Sequence, residues 1–474
     1  MPIPLLQSPC YSAYMHHIPI MESESLDEMW YGQLQPIIKG IPETFTLLEP
    51  EQDYVRREQT KFFASDCTRN PDLCPQRLDE AFLGQTRERL QMLLSDIQTQ
   101  ETNIFIREAY ERHITERLLN IDMVLAAAKN DHPQFVDANI ALYGLPSREI
   151  FGAACDWIRQ DVTEAMAANS RLLEAGNNVL ELVPSTAGNA AVLMPDKTVF
   201  NKVRELHGLP GGYIDQLFQD VIWPNTSVIT PETGAAITRQ VIKNVGSRFP
   251  VYEAPNGLWS VSQSRATVTA PSSYNLSVPA FRGILAHEIG SHLLESVNGA
   301  RSPLRLLEIG LDRYEYGNEG RAVLREQIMF ENPRDYNNQP DWYPTKASWE
   351  YRLTIHLVIS LAYELGGQAY SFARLFQLVK VLFTFWTLKY QQDINRDTIN
   401  NGAWSMVARA LKGTDGTAGA YMKDIVYLEG NVRCWQLAKT NPERILYGDA
   451  GKFDITNHRH VMMLTELGIL PQTN

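Results

Sequence analysis

The sequence predicts an α+β protein, mostly helical, with a small central antiparallel sheet. Three observations carry this. Apolar residues recur at helical spacing through residues 25–180, short β-branched runs broken by Gly, Pro and Asn occupy about 180–275, and helical spacing returns from 278 onward. With 474 residues, 44% of them hydrophobic and 21% charged, the chain has material for one large domain or two to three ordinary ones. It divides into a loose tail (1–24), a helical N-terminal part (25–180) and a C-terminal part (181–474), with 25–474 reading as one integrated unit.

The elements follow in order. The tail contains Pro and Met without any period, and its adjacent His16 and His17 read as solvated. Across 77–96, Leu78, Phe82, Leu83, Leu90 and Leu94 recur at helical spacing. Further helices are expected over 104–129 and 147–174, with a Pro-containing joint at 142–147. Strand-like runs lie at 179–183, 191–194, 228–230 and 259–270. Helices are then expected over 278–297, 318–329, 347–364, 370–390, 399–411 and 458–467.

Composition narrows the function. No run of eighteen apolar residues occurs, so no membrane-spanning helix is expected. Lys39 is the first lysine and no arginine precedes it, and neither the basic start nor the compact apolar run of a secretory signal is present, so a cytoplasmic location is expected. The net charge of −12 argues against nucleic acid or anionic membrane as the main partner, because both reward positive charge. Cys10, Cys67, Cys74, Cys155 and Cys434 are sparse and odd in number, which fits reduced thiols. The Cys67–Cys74 interval matches no zinc-ribbon spacing.

The chemistry concentrates in Phe281–Glu295, which contains His-Glu-x-x-x-His at His287, Glu288 and His292. With ten histidines in the chain, a chance occurrence is on the order of one in a hundred. The familiar zinc-peptidase motif is one residue shorter, because residues four apart stack on one helix face. Five residues apart on a regular helix, the imidazoles would point about 140° away from each other. A local π-bulge repairs this, and Gly290 would tolerate the distortion, so a bulge is expected between His287 and His292. Two histidines leave a catalytic zinc one protein ligand short, and a carboxylate commonly completes the set. The candidates are Glu295, Glu308, Asp312, Glu315, Glu319 and Glu326. Glu319 is favoured because Gly317 and Gly320 flank it and a helix follows. A strand, then the metal helix over 278–297, then a third ligand is a zincin-like layout, and 181–474 is read as its catalytic part.

HEIGSHLLESVNG followed by NEGRAVL resembles the tyrosine carboxypeptidase family, which includes the microtubule-associated enzymes and bacterial proteins with a Gln-Glu-Gly-Leu-Ala motif. Arg56–Phe63 with Asn70-Pro71, Leu142–Ser147, Arg409 with Lys412-Gly413, Met422–Gly430 and Gly451–Asp454 also look like family landmarks. The resemblance implies zinc on His287, His292 and Glu319, and Glu288 as the catalytic carboxylate. It also implies removal of a C-terminal residue, tyrosine or another aromatic, from protein or peptide tails. Two positions depart from the pattern: Glu-Gly-Leu-Ala becomes Glu319-Gly320-Arg321-Ala322, and an Arg-Gly step becomes Lys412-Gly413. With no basic extension for docking on microtubules, tubulin is not favoured as substrate.

For such a reaction Glu288 is placed as general base, and Tyr427, with Tyr351 behind it, as the donor to the tetrahedral intermediate. Arg352, Arg409, Lys412 and Lys423 are the candidates for holding a terminal carboxylate. Residues 264–270 would offer substrate backbone a strand edge. His356 reads as a core histidine, His458 and His460 as surface, and Asp424 as a supporting carboxylate. Two alternatives stay open: a zincin-type endopeptidase or aminopeptidase, and a non-catalytic regulatory protein on the same fold.

Overall fold

The computed structural model describes residues 25–254, 259–262, 265–272, 275–331, 349–390 and 395–472. The tail with His16, His17 and Cys10, and Ser264 of the expected substrate strand, lie outside the described residues. The N-terminal part is built from α1 (Glu28–Ile38), α2 (Gln52–Ala64), α3 (Glu80–Gln100), α4 (Ile104–Ala128), α5 (His132–Tyr143), α6 (Arg148–Ala168) and α7 (Leu173–Leu182). Four of these begin on a side chain that takes an otherwise orphaned amide: Asp79 for α3, Asn103 for α4, Asp131 for α5 and Ser147 for α6. Next come α8 (Lys197–His207), β1 (Val228–Ile229), α9 (Pro231–Asn244), β2 (Val251–Ala254), β3 (Ser260–Ser262), β4 (Thr267–Pro271) and β5 (Leu276–Ser277). The remainder is α10 (Val278–His287), a π-helical turn (Glu288–Leu293), α11 (Leu294–Gly299), α12 (Glu315–Gln327), α13 (Trp349–Ala362), α14 (Phe372–Lys389), α15 (Arg396–Ala410), α16 (Ile425–Thr440) and α17 (His458–Glu466). The architecture is mostly helical with small sheets, as expected for α+β.

The middle segment departs from expectation in three ways. Residues 179–182 finish α7 and 190–193 form a 3₁₀ turn, so neither run is a strand. A short apolar run reads the same whether its partner is a helix or a sheet, and here Val179 and Leu193 are buried among helices. The strands also form two sheets rather than one: β1 pairs antiparallel with β5, and a three-stranded sheet has the order β2-β4-β3. In the latter, β4 is antiparallel to β3 but parallel to β2, so the sheet is mixed. Residue alternation identifies a strand without saying which neighbour takes its edge. Because β4 is flanked on both sides, the expected substrate edge at 264–270 is closed over its described residues, and β3 is the edge strand lying against the π turn.

The largest apolar cluster runs from Trp30 to Leu470 and draws on helices from both parts of the chain. A second cluster, including Val241, Trp259, Val268, Phe281, Leu285, Ile289 and Leu293, joins the mixed sheet to α10 and the π turn. Two glycines fix how α12 meets α16. A Cβ on Gly320 would stand 2.2 Å from the carbonyl carbon of Gly430, and one on Gly430 would stand 2.2 Å from the Tyr316 carbonyl oxygen. Only bare backbone permits that approach. The sequence landmarks brace the same crossing. The Ser147 amide donates to Glu429 at 2.7 Å, and the Tyr316 hydroxyl donates to the Tyr143 carbonyl at 2.6 Å. Among the described residues no helix is long and apolar enough to cross a membrane.

Candidate metal centre

The centre is built from the end of α10. Ser277 caps that helix by accepting the Ala280 amide at 3.4 Å, with Pro279 in the first turn. The helix runs regularly to His287 and then widens into the π turn Glu288–Leu293, where the bulge was expected. Widening brings a five-residue step back toward one face. The rings of His287 and His292 lie 5.0 Å apart, centre to centre, at 80° to each other. Both present Nε2 to Glu319 Oε2 on α12, at 3.6 Å from His287 and 3.3 Å from His292. One ligand atom from each of the three residues lies within 4.8 Å of the others, and together they could hold a metal ion.

Local electrostatics favour a cation there. Burial opposes a charge on His287, but the carboxylates of Glu319 and Glu326 outweigh it and push its pKa up to about 10. Burial likewise opposes the charge on Glu319, yet the two imidazoles hold its carboxyl well below the usual range. Glu319 Oε2 is buried and has no hydrogen-bond partner among the described residues. A buried carboxylate oxygen without a hydrogen, facing two imidazole nitrogens, is a donor set suited to a divalent transition ion. Glu288, first residue of the π turn, is raised chiefly by burial and also by the carboxylates of Glu319 and Glu326, with the histidines pulling the other way.

Glu326 was weighed in the sequence only as a possible third ligand. Two turns beyond Glu319, its Oε2 instead faces His287 Nδ1 at 3.2 Å and accepts from Arg352 Nη2 at 2.9 Å. A carboxylate on the far nitrogen of a metal-facing histidine fixes the tautomer and ring orientation. The seven-residue interval from Glu319 was the available signal, since i and i+7 share a helix face.

The other expected site residues divide. Near the Gly320–Gly430 crossing, α16 brings Tyr427, and the 3₁₀ turn Met422–Asp424 just before it brings Lys423, within electrostatic reach of Glu319. Burial opposes the charge on Lys423, but Tyr427, Glu319 and their neighbours hold its pKa well above the ordinary value. The remaining cations are engaged elsewhere. Arg352 pairs with Glu326, and Arg409 forms a two-pronged pair with Asp424. Lys412 is buried with its ammonium 3.1 Å from the centre of the Phe45 ring and 3.7 Å from Glu49. The Arg409 pair holds the start of α16, so Asp424 serves as the anchor of the turn that carries Lys423. Tyr351 lies near Arg409 and Asp424 rather than Glu319.

Arg321, the departure just after the Glu-Gly pair, faces away from the histidines. It is buried between Glu295 and Asp449. His356 is a core histidine with Nε2 3.0 Å from Glu429, whereas His460 is buried against Asp312 and is not the surface residue expected. His458 is exposed. Cys67, Cys74, Cys155 and Cys434 are free thiols.

Two histidines on a widened helix and a glutamate on α12, within an α+β chain, define the class: a protein whose His-His-Glu cluster could hold a metal ion. Residues 227–334, which hold all three cluster residues, match the family model described as microtubule-associated tyrosine carboxypeptidase, and that match supports a tyrosine-carboxypeptidase-like family. The landmarks before residue 227 and after 334 lie outside the match. No curated protein and no solved structure gives a significant match to the chain.

Proposed function

We propose that the chain is a zinc-dependent metallocarboxypeptidase of zincin-like build that removes one residue, tyrosine or another aromatic, from protein or peptide C-terminal tails. The observation that carries this reading is the convergence of His287, His292 and Glu319 across the π turn, with Glu288 beside them. His287, His292 and Glu319 would hold the ion, and bound zinc would supply Lewis acidity that brings a water's pKa to about 7. Glu288 accepts the proton from the attacking water and passes it to the leaving amine. Its burial suits the first half of this, because a raised pKa makes the carboxylate a stronger acceptor for that proton. Tyr427 donates its hydroxyl to the oxygen that gains charge, and Lys423 receives the terminal carboxylate of the tail. The edge strand β3, against the π turn, offers backbone partners to an extended tail.

The test is a product profile. A mixed peptide library digested with the purified protein and read by mass spectrometry should show loss of single C-terminal residues. Internal cuts or N-terminal trimming would reject the carboxypeptidase reading in favour of the endopeptidase or aminopeptidase alternatives. Metal analysis runs beside it: the protein should hold about one zinc per chain, and Glu319→Ala should lose it. A variant still stoichiometric in zinc would remove Glu319 from the ligand set.

A further inference from the structure

The π turn is an unfavourable local state, since one extra residue is forced into a helix that would otherwise be regular. What holds it is visible in its carbonyls. The Ala286 carbonyl accepts two hydroxyls, Tyr213 Oη at 3.2 Å and Ser291 Oγ at 3.0 Å. The Gly290 carbonyl accepts Nη1 of Arg325 at 2.6 Å. Arg325 is wholly buried, its other terminal nitrogen donates to Asp449 at 2.8 Å, and its guanidinium lies 3.8 Å from the centre of the Tyr213 ring. The Tyr213 hydroxyl also occupies the space beside Gly290, where a Cβ would stand 2.0 Å from it. Gly290 is therefore required for the clamp as well as tolerant of the bulge.

These contacts come from a second row of α12. Glu319 and Glu326 reach the histidines from one row, while Asn318, Arg321 and Arg325, at i, i+3 and i+7, occupy the next. Asn318 and Arg321 both bond Glu295 on α11, beyond the π turn, and Arg321 joins Arg325 at Asp449. One helix thus supplies the carboxylates that meet the histidines and, in Arg325, the cation that holds the backbone between them.

We infer that Arg325, with Tyr213 against it, is a positioning residue of the metal centre. It clamps the π turn in the conformation that aims His292 at Glu319. Without its bond to the Gly290 carbonyl, the turn is free to relax toward regular helix, which swings one imidazole away from the other. The inference rests on the metal-binding reading above, and its test separates the two.

Three variants are compared: Arg325→Met, which keeps bulk and removes the donors; Tyr213→Phe, which removes one hydroxyl at constant shape; and Glu295→Gln, which disturbs the same buried charge cluster without touching the π turn. The first readout is hydrogen exchange over residues 284–294 in metal-free protein, and the second is zinc affinity measured against a competing chelator. Arg325→Met should exchange faster in that segment and bind zinc about ten- to a hundredfold more weakly, the range seen when outer partners of a metal site are removed. Tyr213→Phe should move both readouts in the same direction by less, and it keeps the test alive should Arg325→Met fail to fold. Glu295→Gln should leave both near the unaltered protein. Unchanged exchange overturns the clamp. Faster exchange with undiminished zinc affinity overturns its role at the metal, as does an equal loss in Glu295→Gln. If the unaltered protein binds no zinc while the exchange pattern holds, the metal reading fails and the clamp on the turn stands.

Discussion

In the proposed reaction Glu288 and Lys423 make separable contributions, and their variants should show it. Glu288→Gln preserves size and leaves the three metal-facing side chains in place, so zinc content should stay at the level of the unaltered protein while turnover falls at least a thousandfold, within the order expected for losing a general base. Parallel metal analysis and peptide hydrolysis check this, and surviving activity would remove Glu288 from its role. Lys423→Met takes away a charged partner for the tail carboxylate, an interaction worth roughly 1.5–3 kcal/mol. KM should rise about ten- to a hundredfold with kcat little changed, the pattern of binding lost equally from ground and transition states. Arg409→Met should behave differently, because Arg409 is bound to Asp424 and steadies the start of α16. Its loss should appear first in thermal stability.

At the scale of elements, the Gly320–Gly430 crossing decides whether α16 reaches the centre. Gly320→Ala forces a methyl group against backbone that cannot move aside, an overpacking cost of about 1–3 kcal/mol. Denaturant melts should show that loss, and hydrolysis should fall even though no residue facing the metal has changed. The metal helix was legible in the sequence to the level of its bulge, because a five-residue histidine spacing has few geometric solutions. That Glu319 would meet the two histidines was legible from its flanking glycines, although their reason, close helix crossing at Gly320 and close approach to Asp454 at Gly317, emerges only in three dimensions. The roles of Arg352, Arg409 and Lys412 were not legible. A cation's partner is set by tertiary contact, and all three are taken up by carboxylates or an aromatic ring. The strands were legible singly but not in their pairing, and 179–183 was misread because β-branched residues also end helices.

Across the whole molecule, one buried acid outside the His-His-Glu cluster gives a stability signature of its own. Glu350 is 1% exposed, accepts the Tyr390 hydroxyl at 2.5 Å, and has no partner for its second oxygen among the described residues. Burial pushes its pKa up to about 7 from an ordinary 4.5. Below the ordinary value the group is protonated folded or unfolded, and its contribution to stability is fully present. Between the two values the folded state alone keeps the proton, so the contribution is lost as pH rises through about 7. Glu350→Gln removes the titration. Its melting temperature should exceed that of the unaltered protein by on the order of a few degrees at pH 8 and match it near pH 4.5. Scanning both proteins at the two pH values checks the sign, and a gap that widens toward acid would show that Glu350 is not the group responsible.

The junction where α12 meets α16 also bears on how such a protein can diverge. The segment that can chelate, 287–319, and the segment that would read a tail, 423–427, are distant in sequence and meet across two bare glycines. On the proposed function, changes at 423–427 would redirect which ends are trimmed while leaving the chelating segment intact. Two descendants of one ancestor could keep the same ion and the same carboxylate yet serve unrelated targets.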